Sequence, residues 1–169
     1  VRVLFSSEQI DEACGRLAAL IDRDYEGKRP VLLGVLTGAF IFTADLCRKV
    51  TIDCDIDFVR MESYGAATSS SGTVKMTMDC KLDLSGRHVV VLEEIVDTGL
   101  TLTTLIDELK RLGVASVAIC ALVNKHARRQ AEVDVTYAGI ELDDGFLVGY
   151  GLDLAELKRN LPAIYVVEE

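Results

Sequence analysis

Apolar positions change period several times along the chain, and each change marks an element. Ser6 and Gln9 have capping-box spacing, and behind them Ile10, Ala13, Leu17, Leu20 and Ile21 recur at helical intervals until Gly27 and Pro30 close the segment. Val31–Leu36 is an unbroken apolar run, the pattern of a strand covered on both faces. Thr37-Gly38-Ala39 makes a turn before a helix reaching about Lys49, and a strand is predicted over 55–61. Residues 64–75 are small, polar and rich in Ser and Gly, a composition that builds no core and reads as a mobile loop. Residues 88–92 form a second buried run. Leu102, Leu105, Ile106, Leu109 and Leu112 then mark one face of a helix that Gly113 stops. Residues 117–123, 136–142 and 164–167 read as further strands. Strands alternating with helices predict an α/β fold, an open, mostly parallel twisted sheet flanked by helices, in one domain over residues 1–169.

Charge and cysteine usage narrow the function classes. The 169 residues carry a net charge of −9, which disfavours non-specific nucleic-acid binding, since that draws its affinity from neutralising phosphates. A small phosphate ester remains a suitable ligand if backbone N–H groups, a few placed cations or a metal ion hold it. The five cysteines are odd in number and include no C-x-x-C, as expected of reduced, mostly buried thiols in a cytoplasmic protein. The longest apolar stretch, 31–42, is interrupted by Gly34, Thr37 and Gly38 and is too short to cross a bilayer, so no membrane partner is expected. The N-terminal residues do not resemble a signal peptide.

The chemistry concentrates in 89–101. Four apolar strand residues run into Glu93-Glu94-Ile95-Val96 and then Asp97-Thr98-Gly99-Leu100-Thr101, where a helix begins. A helix N-terminus at the carboxyl end of a strand offers unpaired N–H groups and a partial positive charge. With two hydroxyls and a glycine, Asp97–Thr101 suits a phosphate dianion. Neither the P-loop nor the dinucleotide fingerprint is present here. Three carboxylates directly before such a cradle would repel the phosphate, so Mg²⁺ or ribose hydroxyls are their natural partners. The bland alternative is a solvated acidic turn with Thr101 as helix cap.

This segment resembles the ribose-phosphate motif of type I phosphoribosyltransferases, and nearly the whole chain resembles their hypoxanthine-guanine branch. Gly34–Phe40 is similar to the first active-site loop of that family, and Asp57-Phe58 through Ser63-Tyr64-Gly65 to the strand entering its flexible loop. Leu122-Val123-Asn124-Lys125 is similar to the purine-recognising lysine segment, and Phe146 through Asp153, with Arg159 following, to the base-stacking segment. The resemblance implies a small hood and a flexible active-site loop on the fold. It implies purine salvage, in which Mg²⁺-dependent transfer of a phosphoribosyl group from phosphoribosyl pyrophosphate to N9 of hypoxanthine or guanine releases pyrophosphate. It also implies a homodimer or homotetramer.

Residue by residue, the resemblance implies that Glu93 and Glu94 face ribose hydroxyls and metal, with Asp153 near a second metal ion, and that Asp97 acts as the base near N7. Thr98, Gly99, Leu100 and Thr101 would hold the 5′-phosphate, and Thr37, Gly38 and Arg159 the pyrophosphate. Lys125 would donate to the purine O6, Phe146 would stack on the base and Leu147 would meet its edge. Ser63 and Tyr64 would lead into a lid that limits hydrolysis. A 6-oxo group accepts from an ammonium and a 6-amino group does not, so Lys125 favours 6-oxopurines over adenine. Outside the motif, Lys125 would read as a surface lysine beside His126, Arg128 and Arg129, and Arg159 as a helix-face cation. The chain departs from the family at Glu94, where Asp is usual, at Thr37, where many relatives carry a basic or larger residue, and at Leu100, where some carry Lys. Two other readings stand beside the enzyme: a non-catalytic nucleotide-sensing regulator of the same fold, and a flavodoxin-like interaction domain, which leaves the acid cluster and Lys125 unexplained.

Overall fold

The computed structural model describes residues 1–64 and 73–168. Strand β1 (Arg2–Phe5) leads into helix α1 (Ser7–Tyr25), whose start is fixed by the expected capping box, with the Gln9 N–H donating to Ser6 Oγ and the Ser6 N–H to Gln9 Oε1. The chain continues through β2 (Val31–Leu36), α2 (Phe40–Cys47), β3 (Asp55–Tyr64), β4 (Thr73–Met78), β5 (His88–Val96), α3 (Leu100–Arg111), β6 (Ser116–Lys125), β7 (Tyr137–Leu142), β8 (Leu147–Val148) and β9 (Ile164–Val166).

Six strands form the main sheet in the order β4-β3-β2-β5-β6-β7; only the β3–β4 pair is antiparallel. Period-two alternation sorts its core residues between two faces. Leu32, Val90, Leu92, Cys120 and Leu122 pack with Ile10, Leu17, Ile21, Phe42 and Leu46 of α1 and α2. Val31, Leu33, Val89, Val91 and Ile119 pack with Leu102, Leu105 and Leu109 of α3. A fully buried leucine in either layer contributes about 1.5–3 kcal/mol by its removal from water.

The topology places the site. From β2 the chain crosses through α2 to β3 on one side, and from β5 it crosses through α3 to β6 on the other. The strand order therefore reverses between β2 and β5, and a crevice opens beyond their carboxyl ends. A second, antiparallel sheet in the order β1-β9-β8 forms the small hood.

Several sequence boundaries shift. Residues 73–75, expected in the loop, belong to β4, a mostly exposed edge strand whose polar sequence hid it. Residues 65–72, the rest of the expected lid, lie outside the described residues. Strand β5 continues through the acidic pair to Val96, because its ladder with β6 extends to Val96↔Asn124. Helix α2 ends at Cys47 rather than near Lys49, and α3 begins at Leu100 with Gly99 as its cap, so Thr101 is not the cap. Cys14 and Cys120 are buried, while Cys47, Cys54 and Cys80 are half-buried, so the thiols are less buried than expected. No described helix is long and apolar enough to cross a membrane.

Candidate active site

A cavity of about 300 Å³ occupies the crevice between β2 and β5, lined by residues 35–38, the run from Glu93 to Gly99, and Met61, Thr101, Leu102, Asp153 and Arg159. Three segments distant in sequence, the turns after β2 and β5 and the loop after β8, thus converge on one space.

The floor is the turn into α3. Gly99 sits at φ +84, the left-handed region that glycine tolerates best, and no side chain caps the helix. The first helical bond runs from the Thr103 N–H to Gly99 O, so the N–H groups of the first turn have no intrahelical partner. Of these, the Leu100 N–H meets Thr98 Oγ1 at 3.3 Å. The loop carbonyls are tied off from behind: Thr98 O accepts from the Gln130 and Ala131 N–H groups, and Asp97 O from Arg129 Nε at 3.0 Å. What remains is a cradle of donors at the positive end of a helix, in contrast to α1 with its capping box. Leu100, included in the expected cradle, is not part of the cavity lining.

Glu93 and Glu94 form the wall. Glu93 is buried, and burial together with the neighbouring Glu94 carboxyl holds its pKa well above the ordinary range. Burial pushes Glu94 up to about 7, against lowering by hydrogen bonds and Arg159. The Glu94 carboxyl lies against the α-carbon of Gly38, so a methyl group at Gly38 would overlap it; a methyl at Gly151 would overlap the Gly38 carbonyl. These contacts lock the first loop, the acidic strand end and the 149–161 loop together. The Leu36–Thr37 peptide bond at the entrance to this loop is cis.

Arg159 closes the cavity from the 149–161 loop. Its Nη1 donates to Gly151 O at 2.7 Å, and Nη2 lies 3.5 Å from Asp153 Oδ1. Arg159 lies in an irregular loop with left-handed residues at Tyr150, Ala155, Glu156 and Lys158, which overturns the helix-face reading.

Asp97 joins this cavity to a second group of side chains. Its Oδ1 lies 3.4 Å from Lys125 Nζ, and its Oδ2 accepts from Arg128 at 3.2 Å. Lys125 is 4% exposed, so it is not the surface lysine of the bland reading. Its ammonium donates to Gly145 O at 2.9 Å, immediately before Phe146. Phe146 is half-exposed, anchored through its carbonyl to the Val167 N–H, while Leu147 is buried in β8 opposite Val166. Lys125, Phe146 and Leu147 do not line the cavity; of the three, Lys125 meets it through Asp97. Ser63 is exposed on β3 opposite Val74, and Tyr64 ends that strand. His88 bonds Ser116 and His126 bonds Glu141, away from the cavity.

Sequence spacing missed Arg129. It donates to Asp97 O, Asn124 Oδ1 and Lys125 O, and so holds the turn after β5 against the lysine segment. Its position four residues beyond Lys125, in a turn with no periodicity, gave no signal.

Four buried side-chain N or O atoms among the described residues have no hydrogen-bond partner, and three of them, Glu94 Oε2, Asp97 Oδ1 and Arg159 Nε, belong to this cavity. Buried polar groups are normally satisfied, so these mark where a ligand's polar atoms belong. No group of three or more His, Cys, Asp or Glu among the described residues makes a metal cage. The orphaned Glu94 oxygen and its neighbour Glu93 instead fit a hard cation shared with substrate oxygens, as suits Mg²⁺.

Free N–H donors at a helix start, a buried acid pair and a buried lysine near an exposed aromatic, gathered about the switch point of an α/β sheet, would suit a phosphorylated sugar joined to a planar base. The family model of the phosphoribosyl transferase domain matches residues 5–154. The chain is 40% identical to the hypoxanthine-guanine phosphoribosyltransferase of Streptococcus pneumoniae, over 99% of this chain and 93% of that one. It is 38% identical to that of Bacillus subtilis, with the same coverage. A crystal structure of a hypoxanthine-guanine phosphoribosyltransferase from Bacillus anthracis superposes with a TM-score of 0.94 at 40% identity, covering 99% of each chain. The chain belongs to the phosphoribosyl transferase family, in its hypoxanthine-guanine branch.

Proposed function

We propose that this protein is a purine-salvage phosphoribosyltransferase that joins a 6-oxopurine, hypoxanthine or guanine, to the phosphoribosyl group of phosphoribosyl pyrophosphate. The observation that carries this reading is the convergence of the three polar atoms without hydrogen-bond partners on one cavity, with Lys125 joining Asp97 to Gly145, the residue before Phe146. A regulator that only sensed nucleotides would have no need of an unsatisfied Asp97 oxygen between sugar and base.

In this reading the 5′-phosphate occupies the α3 N-terminus at Thr98, Gly99 and Thr101. The ribose hydroxyls face Glu93 and Glu94, and the pyrophosphate reaches toward Thr37, Gly38 and Arg159, whose guanidinium suits a phosphate. Glu93, Glu94 and Asp153 would hold Mg²⁺, which when bound neutralises pyrophosphate charge. The purine stacks on Phe146 with its 6-oxo group toward Lys125. The ribose C1–oxygen bond to pyrophosphate breaks as the C1–N9 bond forms, and Asp97 accepts the proton that the purine gives up. Once ionised, the Glu93 and Glu94 carboxylates steady the positive charge that develops on the ribose. The setting is the cytoplasm, and the working unit is a homodimer or homotetramer.

The test is pyrophosphate release from phosphoribosyl pyrophosphate and Mg²⁺ in the presence of hypoxanthine, guanine or adenine. Release with hypoxanthine or guanine is expected; no release with any base would sink the enzyme reading.

A further inference from the structure

The cavity is short of cations. Glu93, Glu94, Asp97 and Asp153 line it, yet Arg159 is its one lining guanidinium, and Asp153 and Glu156 already lie against that group. A pyrophosphate ester placed there needs more positive charge, and Thr37 carries none.

Arg60 stands next to that gap. It is the parallel register partner of Leu36 midway along β3, where the β2–β3 ladder ends, level with the entrance to the Thr37-Gly38 turn. Its Nη1 donates to Thr37 Oγ1 at 3.3 Å from a half-buried position. Among the described residues, only Arg60 and Arg129 of the arginines have no carboxylate partner. The Arg129 donors are spent on Asp97 O, Asn124 Oδ1 and Lys125 O. Arg60 gives one of its five N–H donors to the hydroxyl of Thr37, which lines the cavity, and makes no carboxylate ion pair among the described residues.

We infer that Arg60 is a pyrophosphate-binding residue of this enzyme, supplying from β3 the positive charge that the first loop lacks at Thr37. The inference rests on the proposed function. A guanidinium offers a planar set of donors to phosphate oxygens, and holding one against Thr37 costs little reorganisation when the anion arrives.

The experiment varies each substrate separately in native, R60K, R60Q and R60Q/T37K enzymes, with melting temperatures and calorimetric binding of pyrophosphate with Mg²⁺. Loss of a charge-assisted bond predicts that R60Q raises the KM for phosphoribosyl pyrophosphate and the Kd for pyrophosphate about tenfold or more. The hypoxanthine KM and the melting temperature stay near the native values. R60K keeps part of the affinity, and R60Q/T37K recovers part of it by returning a cation to the loop. A KM for phosphoribosyl pyrophosphate within about twofold of native in R60Q overturns the inference, as does equal damage to both substrates or failure of both lysine variants to retain affinity. Native enzyme without turnover would instead remove the functional reading beneath it, so the two failures are distinguishable.

Discussion

Replacing Lys125 by Met keeps the length and apolar stem of the side chain and removes only its ammonium. In the native fold that group donates to Gly145 O at 2.9 Å and lies 3.4 Å from Asp97 Oδ1 in a side chain only 6% exposed. The variant leaves Gly145 O without its donor and Asp97 Oδ1 without its ion-pair partner, although Asp97 keeps Arg128 at 3.2 Å. A hydrogen bond involving a charged group contributes about 1.5–3 kcal/mol, so the fold should lose an amount in that range and still form. The same range at the purine O6 corresponds to roughly a ten- to hundredfold rise in the KM for hypoxanthine. Adenine has no acceptor at that position, so whatever weak use the enzyme makes of it should not fall, and discrimination between the two bases should collapse. Steady-state kinetics with each substrate varied in turn, beside thermal melts, would measure this. A folded K125M protein with an unchanged hypoxanthine KM would refute the role, and so would an equal rise in the KM for phosphoribosyl pyrophosphate.

Three other outcomes follow from the geometry. Asp97→Asn should lower turnover by about 10²–10⁴-fold in single-turnover assays while leaving substrate affinity largely intact, as loss of a general base would; lost affinity with normal turnover of the bound fraction would argue against it. Gly151→Ala places a methyl against the Gly38 carbonyl at φ +96, and should destabilise the fold by at least about 1–2 kcal/mol in denaturant titration. Without divalent ions, stability should fall as pH rises from about 5 to about 7.5, because raised Glu93 and Glu94 pKa values make the folded chain hold more protons than the unfolded one in that window. The contribution is complete below the ordinary carboxyl range and is lost as Glu94 titrates near 7, so the slope should flatten in E94Q melts.

Much of the framework was legible because burial on two faces leaves unbroken apolar runs, as in Val31–Leu36 and the first half of β5. The short strands were not: β1 and β4 are largely exposed and β8 is only two residues long, and each is held by ladder pairing rather than by a pattern of its own. Glu93-Glu94 hid the second half of β5, since the ladder continues there through backbone bonds that ignore side-chain polarity. The phosphate turn could be read because a glycine, two hydroxyls and a helix start must be adjacent in sequence. Convergence of Gly38, Glu94 and Gly151 could not, because it depends on the strand order reversing between β2 and β5. Arg60 and Arg129 escaped for the same reason: each acts on a turn that reaches it only in the folded chain.

Joined sugar and base subsites, with Lys125 choosing the base, are the core of this account. They are tested most directly by competition in one vessel. Native protein, Mg²⁺ and phosphoribosyl pyrophosphate would be incubated with equal amounts of hypoxanthine and adenine, and the nucleotides separated by chromatography. The account predicts the hypoxanthine nucleotide almost alone; adenine nucleotide in equal or greater amount, or no nucleotide at all, would contradict it.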